Sequence, residues 1–105
     1  MPMTDQQLDA AIAARPGRKV TKEQIDSRIM GEDYMVLPNS TVTICNITLE
    51  NGFSVRGESV CVDEKNFDLE IGRQLARRDA YSKIWQLEGY LLAELRWQDY
   101  LRNAN

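Results

Sequence analysis

The segment TVTICNITLENGFSVRGESVCV, residues 41–62, reads as two β-strands around one turn. Thr41, Val42, Thr43, Ile44, Ile47 and Thr48 make the first arm largely β-branched, and such side chains suit a pleated, half-buried surface. Asn51-Gly52 is a strong hairpin signal, but the loop length decides which side chains share a face. A two-residue loop pairs Glu50 with Phe53 and Leu49 with Ser54. Cys45, Ile47 and Leu49 then lie on one face, with Phe53 and Val55 on the other. A one-residue slip turns every side chain over, so that register splits the apolar set. The three-residue loop Glu50-Asn51-Gly52 reunites it: Leu49 faces Phe53, Ile47 faces Val55 and Cys45 faces Gly57. This form is a type I turn followed by Gly52 in the left-handed conformation. The same register places Thr41 opposite Cys61. Cys45 and Cys61 are then roughly 13 Å apart along the strands, too far for a disulfide within one chain.

Upstream, EDYMVLPNS predicts a short strand, Tyr34 to Leu37, ended by Pro38-Asn39. TKEQ at Thr21 is a capping box in which Thr21 and Gln24 bond each other's backbone. A helix over 22–30 follows, with Ile25 and Ile29 on one face and Gly31 as its stop. Thr4 can cap a further helix, DQQLDAAIAA, ended by Pro16-Gly17. Residues 1–18 are expected to be a poorly attached helix and linker, and residues 19–105 a single domain.

Downstream, Asp63 or Asn66 is expected to cap a long helix. In NFDLEIGRQLARRDAYSKIWQLEGYLLAELRWQDYLRNAN, one apolar line is Phe67, Ile71 and Leu75. A second is Ala76, Ala80, Ile84, Leu87, Leu91 and Leu95. Two lines predict burial on two sides, a kink at Gly89, or both. The expected fold class is α+β: N-terminal helices, a three-stranded antiparallel meander with a long bulged hairpin, and a long C-terminal helix packed on the sheet.

The 105 residues make one domain with a thin core, for which self-association is a natural source of added stability. No apolar run approaches the roughly 20 residues of a membrane span. The N-terminus lacks the basic start and apolar block of a secretory signal, so a cytosolic location and free thiols are expected. The net charge of −3 is unevenly spread, with eight acidic and two basic groups in residues 31–70. Bulk nucleic-acid binding calls for a strongly basic face, and the balance here argues against it. With no histidine, the commonest general base and metal ligand is missing. No metal or cofactor is expected.

From Val20 onward the chain resembles a known family. The resemblance covers about residues 19–95 and rests on ITLENGF, VRGESVCVD, NFDLEIGR and KIWQLEGYLL, with spacing kept across the hairpin and helix. The family is one of small accessory proteins of tailed bacteriophages and prophages, named after gene products of a lytic coliphage and a temperate Shigella phage. It implies a phage-encoded protein made in the bacterial host cytoplasm, and it supplies no catalytic residues.

Each candidate site also has a plainer role. A nucleophilic Cys61 needs a neighbour that lowers its pKa, and packing is the expected role of both cysteines. Glu58, Asp63, Glu64, Asp68 and Glu70 fit helix capping and solvated surface. Arg15, Arg18, Lys19 and Lys22 fit a linker. Arg73 and Arg77, one turn apart, can clamp an anion, and they join Arg56 and Trp85 as ligand-binding candidates. Tyr90, Leu91, Leu95, Trp97 and Tyr100 are the interface candidates, because aromatics are enriched in interface cores. No catalytic constellation is visible. The expectation is a non-enzymatic phage accessory protein, homo-oligomeric, that binds a host factor or regulatory ligand. The alternative is a sponge for an anionic nucleotide immune signal, and an enzyme ranks last.

Overall fold

The computed structural model describes residues 2–104; Met1 and Asn105, the outermost residues of the two expected segments, lie outside the described residues. The hairpin follows the register argument. Strands β2 (Val42–Leu49) and β3 (Ser54–Val60) pair antiparallel, with Ile47 opposite Val55 and Cys45 opposite Gly57. The Leu49 N–H donates to the Phe53 carbonyl at 2.8 Å, and Gly52 sits at φ +88°. A side chain is disfavoured at that angle, which is why glycine stands there. Both cysteines are free thiols.

Strand β1 (Ile29–Val36) completes the meander in the order β1-β2-β3. It is longer than the expected Tyr34–Leu37, because pairing with β2 draws in residues of low strand propensity. Helix α2 (Lys22–Arg28) is correspondingly shorter, and Gly31 is not its stop. Ile29 is already extended, and the Arg28 carbonyl accepts the Glu50 N–H at 2.8 Å. The sheet therefore claims the chain before the glycine is reached. A register shift between Ile29 and Gly31 leaves Met30 exposed and sets Glu32 opposite Ile47 and Tyr34 opposite Cys45. The Thr21 capping box forms as expected, with reciprocal bonds of 3.2 and 3.1 Å to Gln24.

The start of helix α3 (Leu69–Asn103) corrects the expected cap. Asp63 caps only a single 3-10 turn, Glu64–Asn66, and Phe67 returns to extended backbone. Asp68 is the cap, accepting the Ile71 N–H at 3.0 Å. The helix then runs 35 residues, unbroken through Gly89. Only the second apolar line is buried, at Ala76, Ala80 and Ile84. Ile71, 59% exposed, and Leu75, 44% exposed, stay outside the core.

The helix and sheet meet through small residues. A β-carbon on Gly57 would stand 2.2 Å from the Ala80 nitrogen and 2.3 Å from the Ala76 oxygen, so helix backbone lies directly on the strand. Gly72 allows a like approach, at 2.6 Å from Thr43 Oγ1. Around this seam Ile25, Cys45, Ile47, Leu49, Val55 and Ile84 close the core. Helix side chains also cover the free edge of β3: Asp79 accepts the Glu58 N–H at 2.9 Å, and Lys83 donates to the Arg56 carbonyl. These two bonds occupy the middle of that edge and discourage pairing with a foreign strand there.

Two parts project from this core. Helix α1 (Asp5–Ala13) buries no residue. Helix α3 spans about 52 Å at 1.5 Å per residue, whereas strands of this length reach about 25 Å. Ile84 is its last buried residue; beyond it, Glu88 pairs with Arg28 and Asp99 with Arg18.

Substituting Gly57→Ala forces helix and sheet apart and should cost about 3 kcal/mol or more. Gly89→Ala, with open space around its β-carbon, should add about 1 kcal/mol. Thr43→Val removes a buried hydroxyl that lacks a hydrogen-bond partner and should add about 1 kcal/mol. Urea unfolding midpoints check all three.

Candidate functional site

The perturbed ionisable groups gather where α2, β1 and α3 meet. Glu32 and Tyr34, two apart on β1, project to the helix side of the sheet. Arg73, Arg77 and Tyr81 descend one side of α3 at four-residue intervals. Arg77 forms an ion pair with Glu32, and its guanidinium lies 5.2 Å from the centre of the Tyr81 ring. Arg73 lies 5.6 Å from the centre of the Tyr34 ring. The Tyr81 hydroxyl donates to Asp26 at 2.7 Å, and Lys22 meets the same carboxylate at 2.7 Å.

The environment fixes the protonation states. Burial pushes Tyr34 up to about 12, helped by the neighbouring Cys45. Burial also pushes Tyr81 up to about 12, and its bond to Asp26 adds to this. Asp26 is held below the usual carboxylate range by its bonds from Lys22 and Tyr81. The Glu32 bond raises Arg77. Burial raises the Cys45 thiol, the opposite of what a thiolate nucleophile needs.

The sequence candidates divide between places. Arg73 and Arg77 share the cluster. Arg56 does not join them: it bonds Asn46 at 3.2 Å and Ser54 at 3.0 Å on the sheet face away from α3. Alternation along β3 sends its side chain to the other side of the sheet. Trp85 is partly exposed on α3, one turn beyond Tyr81. The interface candidates Tyr90, Leu91, Leu95, Trp97 and Tyr100 are all exposed on the projecting part of α3. Asp26, Glu32 and Tyr34 escaped the sequence reading, although the alternation of Glu32 with Tyr34 was the signal. The low strand propensity of Gly31, Glu32 and Asp33 masks that signal.

A second feature lies on the α2 side of the projecting helix. Val20, Gln24, Ser27, Leu91, Leu92 and Leu95 line a groove of about 280 Å³. It continues past Arg28, Glu50 and Glu88 into a hollow of about 240 Å³ beside Leu49, Phe53 and Leu87. Arg28 pairs with both Glu50 and Glu88 at the junction, tying helix α3 to the hairpin turn. Among the described residues no cluster of three or more histidine, cysteine or acidic groups could hold a metal ion. No described helix is long and apolar enough to cross a membrane.

Both shifted tyrosines are neutral when protonated, so the unfolded chain releases those protons first, near the ordinary value of 10.0. Stability from these groups is therefore complete below pH 10 and falls as pH rises toward 12. In a spectrophotometric titration, two of the four tyrosines should ionise near 12. Asp26→Asn should bring one of them down.

No curated protein and no solved structure is significantly similar to the chain. A family model does match it, across residues 20–95 and so across the sheet and most of α3. The chain belongs to the Phage protein (N4 Gp49/phage Sf6 gene 66) family.

Proposed function

We propose that this phage protein is a non-enzymatic accessory factor that acts inside the infected bacterium by binding a host protein. The carrying observation is the groove between α2 and the projecting half of α3, where Leu91 and Leu95 remain exposed beside Val20 and where Lys19, Arg28, Glu50 and Glu88 add charge. A helix held out past its own core, with leucines along one side, offers docking area that the fold does not use. Leu91, Leu92 and Leu95 line the groove along one side of the helix. Apolar side chains of a protein partner fit such a groove better than an engulfed small molecule does. The inert Cys45 and the ion-paired Arg77 fit a binding role rather than chemistry.

One observation favours a second reading, the sequestering of an anionic nucleotide signal of host defence. Arg73 stacks on Tyr34 without a carboxylate partner among the described residues, one turn from Arg77. A phosphate could take the open side of Arg73 and compete with Glu32 for Arg77. The acidic neighbours Asp26 and Glu32 weigh against it, which is why it ranks second.

Capture from host lysate by the intact protein, compared with Leu91→Glu, separates the readings. A host protein retained by the parent and lost in the variant is the expected result. No retained protein, combined with a melting-temperature rise of several degrees on adding cyclic or linear nucleotides, transfers the case to the second reading. Arg73→Ala should then abolish that rise.

A further inference from the structure

The sheet has two outer edges, and the fold treats them differently. Side chains of α3 bond the β3 edge at Arg56 and Glu58. The β1 edge receives nothing comparable. The Leu37 N–H donates to the Val42 carbonyl at 3.0 Å. Alternation therefore turns the backbone groups of Asp33 and Met35 toward β2 and those of Glu32, Tyr34 and Val36 outward. Among the described residues no hydrogen bond reaches these outward N–H and C=O groups. No residue of β1 is buried.

A row of unpaired backbone donors and acceptors is complementary to the backbone of another extended segment. Proteins commonly close such edges with a lysine, a proline, a bulge or a covering element. Strand β1 contains neither lysine nor proline, and its register shift lies at the N-terminal end, between Ile29 and Gly31. What it does carry is Glu32 and Asp33, with no basic residue.

These acids decide between occupants. Glu32 is paired with Arg77 on the helix side of the sheet. Asp33 lies on the open side, in a row with Asn46 and Arg56, and forms no ion pair among the described residues. A second copy of β1, added antiparallel, would set Asp33 against itself when Glu32 meets Tyr34, and one diagonal away in the neighbouring registers. Like charges so placed oppose pairing. A basic side chain at that position instead gives Asp33 the partner it lacks. The next position on the open side adjoins Met35, 54% exposed and opposite Ile44, and takes an apolar side chain. On the helix side a hollow of about 320 Å³, lined by Asp26, Met30, Glu32 and Arg77 among others, leaves room for polar side chains. We infer that β1 accepts an extended, basic segment of another protein as a fourth strand, with lysine or arginine beside Asp33 and an apolar residue beside Met35. The inference does not rest on the Val20–Leu95 groove, which involves other elements.

The probe is a library of short random peptides selected against the full chain. Recovered peptides should be rich in β-branched residues, carry a lysine or arginine and lack proline. A bound peptide should slow amide hydrogen exchange at Glu32, Tyr34 and Val36, which exchange freely in the uncomplexed chain. N-methylation of alternate peptide amides should abolish binding, and methylation of the intervening ones should not. Asp33→Lys should weaken binding roughly fivefold or more, and Leu91→Glu should leave it unchanged. The inference is overturned if no selected peptide protects those amides, or if methylation shows no alternation. It is also overturned if protection at Glu32 and Tyr34 grows with the concentration of the chain alone, because a second copy then holds the edge. Host capture that is lost in Leu91→Glu, with no peptide bound at β1, leaves the proposed function standing and sinks this one. Strand addition without host capture does the reverse.

Discussion

The fold depends on the contact of helix backbone with Gly57. With no side chain on the strand and only alanines at 76 and 80, α3 lies closer to the sheet than larger residues permit. That approach brings Asp79 and Lys83 onto the β3 edge and Ile84 into the core. It also sets the rotation of the helix about its axis. Once Ala76 and Ala80 face Gly57, Arg73, Arg77 and Tyr81 must pass along the β1 side. There the strand presents Tyr34 and Glu32, and α2 presents Asp26. The polar cluster therefore follows from a steric requirement two strands away.

The same geometry explains the unused surface. One three-stranded sheet can cover only part of a 35-residue helix. Helix propensity and capping keep the rest helical. Here the apolar residues continue beyond Ile84, the last buried residue of the helix. The groove beside Val20 runs along this part of the helix. Helix α1, which also buries nothing, adds an amphipathic segment with Leu8 and Ile12 exposed.

The paired tyrosines and arginines illustrate how a structural role and a binding role can overlap. Arg77 stacks on Tyr81 and pairs with Glu32, which anchors β1 to α3 across a region with few apolar contacts. Such partly exposed ion pairs contribute modestly, and Tyr81 adds its bond to Asp26. Arg73 differs: its ring contact leaves the guanidinium edge free for another acceptor. The distinction between two arginines one turn apart comes only from what β1 places opposite each.

The hairpin was legible because period-two alternation leaves one register in which Leu49, Ile47, Val55 and Phe53 agree, and Gly52 satisfies the turn that this register demands. The Thr21 box was legible for a local reason as well: its two partners are three residues apart. Capping of α3 was only half legible, since Asp63, Asn66 and Asp68 are all competent and the intervening 3-10 turn decided among them. The early start of β1 was hidden, because Gly31, Glu32 and Asp33 gain strand geometry from β2 rather than from their own preferences. The separation of Arg56 from Arg73 and Arg77 follows from strand parity, but only once the helix is known to lie on the odd-numbered face of β3. Local chemistry in the sequence thus determined the elements and the hairpin register. Tertiary packing decided the rotation and reach of α3, because those depend on how closely two backbones can approach at Gly57.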